Sequence, residues 1–207
     1  MKLQNGDTIV FAGDSVTDAA KLQTPDHLGL GYVHLISDAL TAYRPWDVFR
    51  VVNAGISGNT SRDLLARWET DVAALEPDVL FCMVGMNDVW RHFDTYRKDE
   101  TYFVSVQEYR QNIRKICELG RQAREFCMMT PYIMQDCRQD EIRALLEKYV
   151  AAMKEVTSEY GVPVIDMQHE FDEFMKYRSG AFINHDRVHP GRIGRMILAR
   201  AIWHEFE

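Results

Sequence analysis

Five short runs of β-forming residues, each separated from the next by an amphipathic helical stretch, constrain this chain more than any other feature. The runs fall at 7–12, 48–52, 79–84, 126–130 and 162–165, and helical spacing marks 32–43, 61–75, 106–123, 141–160 and 191–203. In the first helical stretch Val33, Ile36, Leu40 and Tyr43 recur at the interval of one helix face. In the second, Leu64, Leu65, Trp68, Val72 and Leu75 do the same before Pro77 stops the pattern. A helical turn is expected over 171–177, and a long loop without period over 85–103. Strands that alternate with helices call for a parallel sheet covered on both faces. Right-handed crossovers then leave only a few doubly wound orders. The prediction is an α/β fold: a three-layer α/β/α sandwich around a five-stranded parallel sheet in the flavodoxin-like order 2-1-3-4-5, in one domain over 1–207. The run 79–84 is almost continuously apolar and is expected at the centre of the sheet.

Composition narrows the function classes. With 46% hydrophobic and 27% charged residues, a disordered chain is ruled out. A net charge of −7 and the lack of any basic run argue against a nucleic-acid partner. The longest apolar runs, such as 79–86, are too short to cross a bilayer, so no membrane partner is expected. Residues 1–7 lack the apolar stretch of a signal peptide, and the four cysteines show no CxxC pairing; reduced structural cysteines and a cytoplasmic address are expected.

In doubly wound sheets the ligand site lies beyond the carboxyl ends of the strands. Ser15, Gly58 and Asn87 all follow expected strand ends. Ser15, in Gly13-Asp14-Ser15, stands at a strand-to-helix turn, where backbone N–H groups favour a developing negative charge. Alone, it reads more readily as a turn or cap residue. Asp186 and His189 are three apart in a turn, close enough for the carboxylate to hold one imidazole nitrogen while the other takes a proton. Alone, that pair reads as a surface turn. Asn87 offers a side-chain amide and Gly58 an unobstructed backbone, both useful to an oxyanion and both ordinary in loops.

Together these pieces supply a nucleophile, a base, its orienting acid and oxyanion donors. Gly-Asp-Ser around Ser15, Ser-Gly-Asn-Thr around Gly58, Gly-x-Asn-Asp around Asn87 and Asp-x-x-His-Pro from Asp186 to Pro190 resemble the SGNH (GDSL-type) hydrolase family, in its order and across nearly the whole chain. The longer stretches 51–60, 87–91, 129–131 and 186–190 look most like bacterial acetylxylan esterases. The resemblance implies a serine esterase that cleaves short acyl esters, removing acetyl groups from sugars or xylo-oligosaccharides through an acyl-serine intermediate. Ser15, Asp186 and His189 would form the triad, and Ser15, Gly58 and Asn87 the oxyanion hole. Trp90 is a candidate to stack on a sugar ring or cap an acyl pocket, and reads equally as packing beneath the long loop; His185 is a candidate donor to substrate or a turn cap. Those relatives often carry tryptophan where His185 stands, so the shape of the pocket is open. The implied partner is an ester substrate, a small molecule or an oligosaccharide, and a homo-oligomer is suggested.

No cofactor is expected. Gly29-Leu30-Gly31 lacks a preceding strand and has His34 where a dinucleotide loop needs its third glycine. The seven histidines show no metal-ligand spacing. An ordinary α/β-hydrolase is disfavoured because Thr17 occupies the last position of what would be Gly-x-Ser-x-Gly. The rivals are a lipolytic esterase, thioesterase or lysophospholipase on the same scaffold, and a non-catalytic carbohydrate-binding protein.

Overall fold

Burial along the strands accounts for the architecture. Val79–Met83 is buried at every position, so both of its faces meet protein. Its side chains divide between two cores: Leu80 and Cys82 join Val10, Ala12 and Met128 on one side, while Val79, Phe81 and Met83 join Ile9, Phe11 and Cys127 on the other. That division is the period-two alternation of a strand clothed on both sides. Phe11 and Phe81 stack across neighbouring strands at 5.1 Å between ring centroids.

The computed structural model describes residues 1–94 and 102–206. Its strands are β1 (Thr8–Gly13), β2 (Arg50–Gly55), β3 (Val79–Met83), β4 (Glu125–Met129) and β5 (Val164–Ile165). All pair in parallel, in the order β2-β1-β3-β4-β5. This is the expected order, with β3 at the centre. The helices are α1 (Ser15–Asp18), α2 (Tyr32–Tyr43), α3 (Ser61–Ala66), α4 (Trp68–Asp71), α5 (Met86–Trp90), α6 (Val106–Gly120), α7 (Glu141–Tyr160), α8 (Met167–Met175) and α9 (Arg192–Trp203). Helices α3 to α7 pack on one face of the sheet and α2, α8 and α9 on the other, which makes the three layers.

Local chemistry sets the helix ends. Thr60 and Asp63 form a reciprocal capping box at the start of α3. Asp140 accepts from the N–H groups of Ile142 and Arg143 to open α7, and Gly161, with φ +63°, closes it.

Three local expectations need correction. The helix expected over 61–75 is broken at Arg67 (φ −109°, ψ 8°) into α3 and α4, followed by a 3-10 turn at Ala73–Leu75. Hydrophobic spacing registers the buried face, where Leu64, Trp68 and Val72 all lie, but not the distant partners that claim the Arg67 guanidinium. The stretch 85–103 is not all loop: it opens with α5 and a 3-10 turn at Arg91–Phe93, and residues 95–101 lie outside those described. The turn expected over 171–177 belongs to α8, which starts at Met167 under an Asp166 cap that accepts from the His169 N–H. Cys82, Cys117 and Cys127 are buried as small apolar residues and Cys137 is exposed.

Candidate active site

Strand β1 ends in a turn with little room. A Cβ on Gly13 would stand 2.6 Å from the Met83 carbonyl oxygen, so only glycine lets β1 and β3 approach there. Asp14 follows as the N-cap of α1, its Oδ1 accepting from the Val16 N–H at 3.0 Å. Ser15 is thereby lifted to the first position of α1, half-buried. Burial pushes the Asp14 carboxyl up to about 6, against the opposing pull of the Val16 N–H and the nearby His189. Its cap bond makes Asp14 a support for the turn, as its place in the sequence suggests.

The imidazole comes from a different direction. His189 lies on the segment between the 3-10 turn at Gly180–Phe182 and α9, and its Nε2 is 2.9 Å from Ser15 Oγ. Its Nδ1 is 2.8 Å from Asp186 Oδ2, while Asp186 Oδ1 accepts from the backbone N–H groups of Val188 and His189, both at 2.9 Å. Burial alone would raise the Asp186 carboxyl; the Val188 N–H, the His189 ring and the His189 N–H outweigh it and hold the group below the usual carboxylate range. An ionised carboxylate only accepts, so Nδ1 carries the proton and Nε2 presents its lone pair to the serine hydroxyl. The arm is tied down by the Met134 N–H donating to Arg187 O at 2.8 Å, Arg187 donating to Asp140 at 2.9 Å, and Asn184 Nδ2 donating to His189 O at 2.7 Å.

Beside the serine, Asn87 on α5 donates one amide hydrogen to Asn59 O at 2.9 Å. An amide nitrogen has two hydrogens, so this bond fixes the side chain and leaves the second free for the cavity that Asn87 lines. Gly58 sits in the turn after β2 with φ +83°, a left-handed backbone that glycine takes without strain. Nothing lies within 4 Å of a Cβ built on it, so the demand for glycine here is conformational. Arg91 holds the turn from outside, donating to Gly58 O at 2.8 Å.

The serine, the Asn87 amide, the imidazole and its carboxylate meet at a cavity of about 180 Å³. Asp14, Ser15, Asn87, Asp186 and His189 supply its polar wall, and Val16, Met86, Trp90 and Val188 its apolar one. Gly58 and His185 are exposed and stand outside this lining. Trp90 is at the mouth, 40% exposed. Among the described residues no cluster of histidine, cysteine, aspartate and glutamate could hold a metal ion. No helix there is long and apolar enough to cross a membrane.

Sequence reading passed over two polar residues behind this wall. Asp88, fully buried, accepts from the N–H and hydroxyl of Ser61 and so joins α5 to the start of α3. Arg67 donates to Gly13 O at 3.0 Å and to Asn59 Oδ1 at 2.6 Å. Spacing gave no signal for Arg67: at about 100° per residue it falls beside, not on, the face of Leu64, Trp68 and Val72.

Comparisons with known proteins give a matching family and relatives that cover nearly the whole chain. The profile of the GDSL-like lipase/acylhydrolase family matches residues 11–196. An acetylxylan esterase of Geobacillus stearothermophilus is 38% identical over 211 residues, covering 99% of this chain and 96% of that protein. A crystal structure of a Geobacillus stearothermophilus acetylxylan esterase superposes with a TM-score of 0.93 over 100% of this chain and 98% of the other, at 38% identity. Three further structures of that enzyme carry alanine in place of a catalytic serine, histidine or aspartate. An alpha/beta hydrolase from the metagenome of Lake Arreo, Spain, is 34% identical with a TM-score of 0.92, over 98% of this chain and 95% of the other.

Proposed function

The chain belongs to the GDSL-like lipase/acylhydrolase family and is a carboxylic ester hydrolase, and on that premise we propose that it deacetylates sugars or short xylo-oligosaccharides with Ser15, His189 and Asp186 as its triad. The observation that carries the reading is the line of contacts from Ser15 Oγ to His189 Nε2 at 2.9 Å and from Nδ1 to Asp186 at 2.8 Å. As Ser15 Oγ bonds to the ester carbonyl carbon, its proton passes to His189 Nε2, and the Asp186 carboxylate stabilises the imidazolium that results. The carbonyl oxygen becomes an oxyanion, received by the N–H groups of Ser15 and Gly58 and the free hydrogen of the Asn87 amide. Collapse breaks the ester C–O bond as the imidazolium protonates the departing sugar oxygen, which leaves as a hydroxyl. Water, deprotonated by the same imidazole, then cleaves acetyl-Ser15 to acetate and free serine.

The size of the cavity supports a short acyl group, since about 180 Å³ is below the ~300–1,000 Å³ of sites for drug-sized ligands. Trp90 offers a flat face to the apolar C–H surface of a sugar at the mouth. His185, off the cavity wall, would be reached only by a sugar unit remote from the ester. The Geobacillus relative, matched over 99% of this chain, is named for acetylxylan, and the residues replaced by alanine in its catalytic variants are likewise a serine, an aspartate and a histidine. We also propose a cytoplasmic address and a homo-oligomer, the latter because Leu30, Ile193 and Met196 stand exposed along one groove.

Two measurements test the reading. A serine-directed organophosphate should add its mass at Ser15, and Ser15→Ala should lose ~10⁴-fold in kcat while keeping its fold. Unchanged ester cleavage by that variant would remove Ser15 as nucleophile. Acetyl nitrophenyl esters and acetylated xylose should be cleaved faster than octanoyl esters; the reverse preference would favour a lipolytic enzyme or thioesterase.

A further inference from the structure

We infer that Arg67 is a positioning residue that fixes the oxyanion donors relative to one another, a role that rests on the reading of Ser15, Gly58 and Asn87 given above. Its guanidinium, 13% exposed, reaches three partners in three directions. Nη2 donates to Gly13 O at 3.0 Å, Nε to Asn59 Oδ1 at 2.6 Å, and Nη1 to Asp71 Oδ2 at 3.3 Å. Gly13 is the last residue of β1, two before the nucleophile, and its carbonyl also accepts from the Ile56 N–H at 3.0 Å. Asn59 follows Gly58 directly, and its own carbonyl takes the Asn87 amide at 2.9 Å. One planar fork therefore ties together the ends of β1 and β2 and, through Asn59, the side chain on α5. Each of the three oxyanion donors lies on a separate segment, and Arg67 bonds a near neighbour of two of them, Gly13 before Ser15 and Asn59 after Gly58, and through Asn59 reaches the third.

Burial costs a guanidinium free energy unless its donors are satisfied. Removal from water draws the Arg67 pKa down, with Asp71 opposing. Its neighbours in sequence, Leu64, Trp68 and Val72, are buried apolar groups. Packing alone would be served by another such side chain. What an aliphatic residue lacks is the rigid set of N–H donors that holds a backbone carbonyl and a side-chain carbonyl at fixed separation. A lysine ammonium, a single point on a flexible stem, does not reproduce it.

The test is kinetic, with acetyl nitrophenyl ester as substrate. Arg67→Met should lower kcat by about 10- to 100-fold with KM within about threefold, because transition-state alignment is lost and ground-state binding is not. Arg67→Lys should recover little of it. A merely structural role would give the same loss in every background. A role exerted through the donors should shrink to less than about threefold when Asn87→Ala is already present, and should stay undiminished beside a substitution of Trp90. Asn59→Ala deletes the Nε acceptor yet keeps the main-chain carbonyl, and should lower kcat by about three- to tenfold; it decides the matter should Arg67→Met fail to fold. Equal losses with and without Asn87, a change confined to KM, or an unaltered kcat in Asn59→Ala would each overturn the proposal. An unaltered kcat in Asn87→Ala alone would sink the oxyanion reading, and this inference with it.

Discussion

Asp88 shows how one carboxyl can sit fully out of water and still be useful. Burial pushes it up to about 7, against the bonds from the Ser61 hydroxyl and N–H. A raised native pKa favours the protonated form on folding, so the stabilising contribution is complete below the ordinary carboxylate range and is lost as pH rises through about 7. Asp88→Asn retains an acceptor for Ser61 without a charge. Its urea midpoint relative to the wild type should therefore rise between about pH 5 and about pH 8; parallel pH profiles for the two proteins would show that the carboxyl is not titrating there. At this scale the sequence was legible where chemistry is local. Ser15, Asn87, Asp186 and His189 each sit in a short motif whose neighbours shape the turn, and the structure brings those four to one cavity. Arg67 and Asp88 escaped because their meaning lies in partners from other segments, such as Gly13 and Ser61. His185 shares the arm of His189, but a position in sequence does not say which way the chain turns it.

Elements were legible to the extent that one face of each is buried continuously. Helices α2 and α7 lie over the residues their spacing predicts. The stretch 61–75 does not, because an arginine within it serves the loop beside it rather than the helix. Helix α5 is one short segment, too brief for periodicity to register. Between elements, Arg143 on α7 is 2% exposed and meets Asp172 on α8 through two bonds, at 2.8 and 2.7 Å. It also donates to Gln135 O at 3.0 Å, next to the Met134 N–H that holds the Arg187 carbonyl. Removing one partner of a buried pair leaves a charge uncompensated. Asp172→Ala should cost ~2–3 kcal/mol in urea unfolding, less than for a wholly stripped pair because Glu147 remains 3.1 Å away. A change below about 0.5 kcal/mol would mean that water replaces the carboxylate.

For the molecule as a whole, alternation of strands and helices was enough to give the layers and the sheet order, since crossover handedness leaves few choices. It could not show how the base returns to the nucleophile across 174 residues of sequence. Ser15 stands at the end of a central strand and is as fixed as the core beneath it. His189 is on an exposed arm held by a few hydrogen bonds. Segments with few buried contacts open at lower free energy than the sheet they lean on. Esterase activity should accordingly fall reversibly at temperatures a few degrees below the loss of helical circular dichroism; coincident curves would mean that the arm and the core melt as one unit.

The same separation has a consequence during synthesis. A chain halted after residue 87 but before residue 189 already contains Ser15, the Gly58 turn and the Asn87 amide, yet has no His189 to draw off the hydroxyl proton. Unfinished products of translation would thus lack base-assisted attack, whatever part of the sheet they manage to assemble, and full hydrolysis would begin once the turn before α9 has come back to the end of β1.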